Sequence, residues 1–275
     1  MYPWLKHIVS ALFALAAMSL FASCDKADGF GYDIVYNGFG EISRLAPNGY
    51  FEITRDDGTL LRVVEYGGTC RPTLGERVFF KYNILPGAGN YESCYSSDER
   101  TVLDVKVIVF NTLYSAPIVR KSDLLEDEGR DKTIGDDPIR IVNAAFSGHY
   151  LNIGFEYFRI PEGTPHRINL VWDNTRPATD SVYLELRHNA MGETEAAGVP
   201  LVSETGLASF RLTDLVPEGA ESINIRLRYN LDCNNDGYTQ ANRYITGTFH
   251  LNAAHNTYIA GDELFLPENT TTFIR

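Results

Sequence analysis

The chain has no uninterrupted apolar run of the roughly 20 residues that a bilayer-crossing helix needs. It also has no C-x-x-C and no H-E-x-x-H, so nothing in its spacing signals a zinc site. A Walker-type phosphate loop and a G-x-S-x-G elbow are both missing, which removes the usual signatures of nucleotide hydrolysis and serine-hydrolase chemistry. Gly29-Phe30-Gly31 and Gly38-Phe39-Gly40 do not continue as G-x-G-x-x-G into a strand–loop–helix unit. Basic residues are scarce: 24 Lys and Arg stand against 36 Asp and Glu, a formal charge of −12. Such a surface repels phosphate backbones, so nucleic acid is not an expected partner.

What is present begins at the N-terminus. Lys6 and His7 precede Ile8–Ala22, an apolar and small-residue run of about 15 residues, and Phe21-Ala22-Ser23-Cys24 closes it. That length suits a signal h-region rather than a permanent span. The pattern resembles the lipobox of bacterial lipoproteins, with Phe21 where Leu is usual, and the resemblance implies lipidation of Cys24 at the mature N-terminus. A lipid there holds the rest to a membrane without spanning it. Asp25 and Asp28 resemble the acidic residues that follow the lipidated cysteine in surface-exported lipoproteins of Bacteroidota. Periplasmic and surface faces of the outer membrane both stay open. Removing residues 1–24 removes Lys6 and no acid, taking the charge from −12 to −13.

With 16 Tyr, 15 Phe and only 3 Met, and with Val, Ile and Thr in its periodic runs, the remainder leans to all-β. An exported protein is permitted disulfides. Cys70 and Cys94, in one expected domain, are the candidate pair; closing about 25 residues is worth on the order of 3 kcal/mol in the loop-entropy model. Sequence leaves that connectivity open, and Cys233 is read as a free, partly buried thiol.

Residues 25–39 read as a tether. Residues 40–120 read as a small barrel of OB type, though an SH3-like barrel has the same pattern. Phe51 and Ile53 share a face; Val78, Phe80, Tyr82 and Ile84 share another; Asp57-Gly58 between two strand-like runs predicts a hairpin in which both residues take positive φ. Residues 121–137 (KSDLLEDEGRDKTIGDD) are acidic, lack apolar alternation and read as an interdomain linker. Residues 138–275 carry about seven short strands and read as an immunoglobulin-like β-sandwich. The expected fold is therefore all-β, an OB-like barrel followed by a sandwich.

Several stretches, in order, resemble the NigD-like lipoproteins of Bacteroides and Prevotella relatives. They are Asp104–Leu113 (DVKVIVFNTL), Ile134–Ile139 (IGDDPI), Tyr150–Ile153 (YLNI), His166–Leu170 (HRINL) and Leu184–Asn189 (LELRHN). The resemblance implies an OB-like N-terminal domain, a C-terminal β-sandwich and a proposed role in bacteriocin immunity. It supplies no catalytic residues.

Candidate chemistry is sparse. Asp232, Asn234 and Asp236 match the opening of a calcium loop, D-x-[DN]-x-[DN]-G, but position 12 is Arg243 where a bidentate acid belongs. An Asn/Asp-rich hairpin loop is the expected reading, and no cofactor is expected. His188 lies at the end of an apolar strand face and is expected to bond a neighbouring loop. Glu185 and Arg187 are expected on an exposed strand face. The leading expectation is a non-enzymatic envelope lipoprotein that binds a protein or glycan. A bacteriocin immunity protein is the second reading, and an enzyme acting on envelope glycans the third, because carboxylate pairs are set by three-dimensional spacing.

Overall fold

The computed structural model describes residues 34–47, 49–67, 70–86, 102–177, 181–193, 200–233, 240–251 and 257–260. The signal and Cys24, most of the tether, Cys94, Asn234 and Asp236 lie outside them. From Val35 onward the chain forms one unit.

Five strands close a barrel: β1 (Tyr36–Leu45), β2 (Phe51–Arg55), β3 (Leu60–Tyr66), β4 (Arg77–Ile84) and β5 (Val102–Thr112). Their order is β1-β2-β3-β5-β4, with β1 also paired to β4 and β3 parallel to β5. This is the OB arrangement, which sequence periodicity alone did not separate from an SH3-like barrel. Alternation sends Phe51, Ile53, Leu61, Val63, Val78, Phe80, Tyr82, Val105 and Val107 into the closed interior. The β2–β3 hairpin differs from the expected two-residue turn. Asp56, Asp57 and Gly58 form a three-residue loop inside the Arg55–Thr59 pair, and only Gly58 has positive φ. The Asp57 carboxylate accepts the Thr59 N–H at 2.9 Å instead.

The sandwich follows: β6 (Val119–Arg120), β7 (Arg140–Ser147), β8 (Tyr150–Arg159), β9 (Arg167–Trp172), β10 (Ser181–Asn189), β11 (Val202–Arg211), β12 (Ser222–Asp232), β13 (Gln240–His250) and β14 (Thr257–Ala260). One sheet runs β13-β12-β10-β9-β6 and the other β11-β8-β7-β14. Between them lie Phe146, Leu151, Ile153, Phe155, Leu170, Leu184, Leu186, Phe210, Ile225, Leu227 and Phe249.

Residues 121–137 differ from the expected linker. They form helices α1 (Lys121–Leu125) and α2 (Glu128–Ile134). Leu124 and Ile134, ten positions apart with no apolar period joining them, pack on Val171 and Val119 of the five-stranded sheet. Asp127 caps α2 by accepting the Arg130 N–H at 3.0 Å. The cover corrects a second expectation: Glu185 is only 7 % exposed rather than on an open face. Lys121 donates to Glu185 at 2.6 Å and to Asp173 at 3.1 Å, and Arg187 bonds Glu185 and Asp131.

That clamp is acid-sensitive. Burial opposes ionisation of Asp173, but bonds from Thr175, Arg176 and Lys121 outweigh it and hold the carboxyl down to about 2. A folded value below the ordinary 3.8 stabilises the fold above that pH and is lost as pH falls toward 2. Urea midpoints measured from pH 5 to 2 are expected to fall more steeply for the wild type than for Asp173→Asn. Parallel curves count against the clamp.

Candidate functional site at the barrel–sandwich seam

The β2–β3 loop carries Asp56 to the sandwich, and the first residue of β4, Arg77, points the same way. Arg77 is 3 % exposed. Its guanidinium forms a two-pronged pair with Asp56 (Nη2 to Oδ2 2.6 Å) and donates from Nε to Ser209 Oγ of β11 at 3.0 Å. The Tyr150 ring of β8 lies 3.8 Å from its Cζ. Ser147 at the end of β7 donates to Asp56, and Ser209 donates to Asn152 Oδ1 at 2.8 Å. The Tyr150 hydroxyl donates to Glu41 of β1 at 3.0 Å, and burial pushes its phenol up. Phe39 and Phe79 of the barrel pack with Leu113 and with Leu207 of the sandwich. Gly148, at φ +53°, turns β7 into β8 against the Asp56 loop; a Cβ there would sit 3.0 Å from the Asp56 carbonyl oxygen. The seam is thus an interior, with desolvated charge and apolar contact, rather than a solvated hinge.

Two hollows open here, and only the smaller has barrel residues in its wall. One, of about 460 Å³, is lined by Ile118, Arg120, Tyr150, Trp172, Arg211 and Asp214 among others. The second, of about 340 Å³, includes Glu41, Thr54, Asp56, His149, Tyr150 and Arg211. Tyr150 and Arg211 are therefore their common wall. Ile118, Leu215 and Trp172 belong to or pack on the sandwich core and give the larger hollow an apolar floor. Arg120 and Asp214 on its rim make no side-chain bond to another described residue. The larger hollow is thus apolar surface with a few polar groups, formed by the sandwich and the segment 115–118 that leads into it. Glu41 accepts from Tyr150, and Asp56 from Arg77 and Ser147.

A second cluster of titratable groups lies in the sandwich. His166 (0 % exposed), His188 (1 %) and Glu193 (8 %) form a chain ending on the Pro138 carbonyl. Tyr157 lies against both imidazoles at 4.9 and 5.2 Å between ring centroids. His188 bonds a neighbouring loop, as its position at the end of an apolar strand face suggests. His166 was not legible as its partner, because the two lie 22 residues apart and meet only through β9–β10 pairing.

The residues singled out from sequence are not brought together. Cys70 is a half-buried free thiol against the barrel core, and burial pushes it up to about 11; Cys94 lies outside the described residues. Cys233 is exposed, not partly buried. Asp232 is buried at the end of β12, while Asn234 and Asp236 fall outside the described residues. Among the described residues no group of three or more His, Cys, Asp and Glu is arranged to hold a metal. The seam residues were missed because Arg77, Asp56 and Tyr150 carry no spacing signal; only the chain's closure joins them.

Residues 122–258 match the family described as NigD-like C-terminal beta sandwich domain. No curated protein matches the chain. Among solved structures, a protein of Parabacteroides distasonis named as toxin-related is 20 % identical, with a TM-score of 0.57 over 79 % of this chain and 94 % of that one. A NigD-like immunity protein of Bacteroides caccae is 18 % identical, with a TM-score of 0.53 over 78 % and 93 %. A candidate lipoprotein of Bacteroides fragilis is 14 % identical, with a TM-score of 0.56 over 81 % and 100 %. These are likenesses of fold, and they extend beyond the sandwich.

Proposed function

We propose that this chain, which belongs to the NigD-like family, is a non-enzymatic lipoprotein of the cell envelope that binds a partner in the cleft at its barrel–sandwich seam. The observation that carries this is the 460 Å³ hollow, one wall of which, Tyr150, is stacked on the buried Arg77 guanidinium of the barrel. Rigid walls lower the ordering cost of binding. The lipid on Cys24 is supported by the signal-like N-terminus and by the candidate lipoprotein of the same fold. No described helix is long and apolar enough to cross a membrane. Palmitate labelling of the expressing cells is expected to mark the wild type and to vanish in Cys24→Ala; labelling of both removes the anchor. For the cleft, Trp172→Ala is expected to weaken an identified envelope partner about thirty-fold, the scale of an aromatic anchor. Affinity unchanged in both Trp172→Ala and Arg120→Ala would place binding elsewhere.

Bacteriocin immunity is the more specific form of this reading, favoured by the NigD-like immunity protein that shares the fold. Deleting the gene should then sensitise the strain to bacteriocins of its neighbours, and a strain of unchanged sensitivity rejects that form while leaving the cleft untouched.

A further inference from the structure

The His188–His166–Glu193 chain has three hydrogen-bond gaps. Pro138 O to His188 Nδ1 is 2.8 Å, His188 Nε2 to His166 Nδ1 is 2.9 Å, and His166 Nε2 to Glu193 Oε2 is 3.2 Å. Each gap needs one hydrogen, and two neutral imidazoles bring two. A carbonyl only accepts, so His188 must donate from Nδ1. Its Nε2 then accepts, and His166 must donate from Nδ1. That leaves the His166 Nε2 lone pair aimed at a carboxylate. Reversing the tautomers moves the same conflict to the Pro138 end. Inside a protein an empty gap between two acceptors is costly.

The geometry points to a proton-binding site: one further proton sits between His166 Nε2 and Glu193 Oε2 at neutral pH and clasps three segments of the sandwich together. Glu193 ties in the β8–β9 loop by accepting the Ile160 N–H at 3.0 Å and the Thr164 N–H. Pro138 brings the segment that follows α2, and Glu193 itself belongs to the segment after β10. Because the proton is shared by the pair, the pair as a whole is neutral whichever partner holds it.

Burial drives His188 down to about 3, so the extra proton does not reside there. Burial holds His166 below its ordinary value against the pull of Glu193 and, more distantly, Asp137, and although burial opposes ionisation of Glu193, bonds from Ile160, Thr164 and His166 outweigh it and hold that carboxyl low; it is the unfilled hydrogen-bond gap that places the proton. Asp137 accepts the Ala190 N–H at 2.7 Å. Arg159, the nearby cation, is ion-paired with Glu204, which blunts its opposition. The Tyr157 phenol is pushed up by burial and stays neutral.

Glu193→Gln tests the site in the full chain. A glutamine amide donates to His166 Nε2 from the Oε2 position and keeps its carbonyl for the Thr164 N–H; the Ile160 N–H loses its acceptor, a pH-independent cost, and the gap is filled with a hydrogen that does not titrate. The unfolded chain has released the proton above its ordinary histidine value of about 6.5. The wild-type folding constant is therefore expected to fall, relative to Glu193→Gln, by close to tenfold per pH unit from about pH 7 until the clasp empties. Equal slopes for the two proteins overturn the proposal. If the variant does not fold, NMR of the wild type labelled at histidine and glutamate decides alone. A hydrogen on His166 Nε2 or a protonated Glu193 carboxyl at pH 7 supports the site; a bare nitrogen facing an ionised carboxylate overturns it.

Discussion

Arg77→Ala is expected to cost about 3 kcal/mol of stability, because it strands a largely buried carboxylate. Asp56 would keep Ser147 as a donor but lose both guanidinium prongs, and Ser209 would lose its Nε donor. The Tyr150 ring would lose the cation stacked on it. Urea unfolding followed by tryptophan fluorescence measures this, since Trp172 borders the seam hollow. The cost belongs to the stranded charge rather than to the worth of the pair. Arg77→Met together with Asp56→Ala should therefore recover much of it, leaving a coupling energy of a few kcal/mol in the double-mutant cycle. A single mutant within about 0.5 kcal/mol of wild type would show that the seam is solvated and that its cleft has no rigid walls.

Gly135→Ala is expected to destabilise by about 3 kcal/mol, from two additive sources. Gly135 ends α2 at φ 73°, ψ −178°, a region that side chains avoid, and forcing one there costs on the order of 1–3 kcal/mol. A Cβ would also lie 2.6 Å from the His188 carbonyl oxygen and 2.8 Å from the Asn189 Cα, both backbone atoms of β10 that cannot step aside. Overpacking of that kind costs a further ~1–3 kcal/mol. Hydrogen exchange should show α1 and α2 opening first, since Arg187 donates to the Gly135 carbonyl and Asn189 to the carbonyls of Lys132 and Thr133. Protection of the helices unchanged in Gly135→Ala would mean that they are held by Leu124 and Ile134 alone.

The helices mark where sequence reading failed. Two buried apolar residues within 17 mostly polar positions have no period to detect, and their burial exists only because the sheet lies beneath them. Glu185 and Arg187 were misread for the same reason. Strand alternation does place them on the outer face of the sheet, but the cover comes from a segment 56 to 64 positions away in the chain. The barrel core was legible: Phe51 and Ile53, then Val78, Phe80 and Tyr82, alternate inward because a pleated strand repeats every two residues. The order of strands around that barrel was not legible, since periodicity names faces and not neighbours.

For the candidate site the division is sharper. The sequence by itself determined the all-β composition, the alternating faces, the acidic charge that disfavours nucleic acid, and the His188 position at the end of an apolar face. All of these are local properties of residue type and spacing. Only the tertiary structure decided that Arg77 meets Asp56 and Ser209, that His166 meets His188 and Glu193, and that Tyr150 and Arg211 divide two hollows. Each is a contact between groups distant in sequence, created when closed sheets desolvate polar atoms and oblige them to find partners wherever the fold has put them.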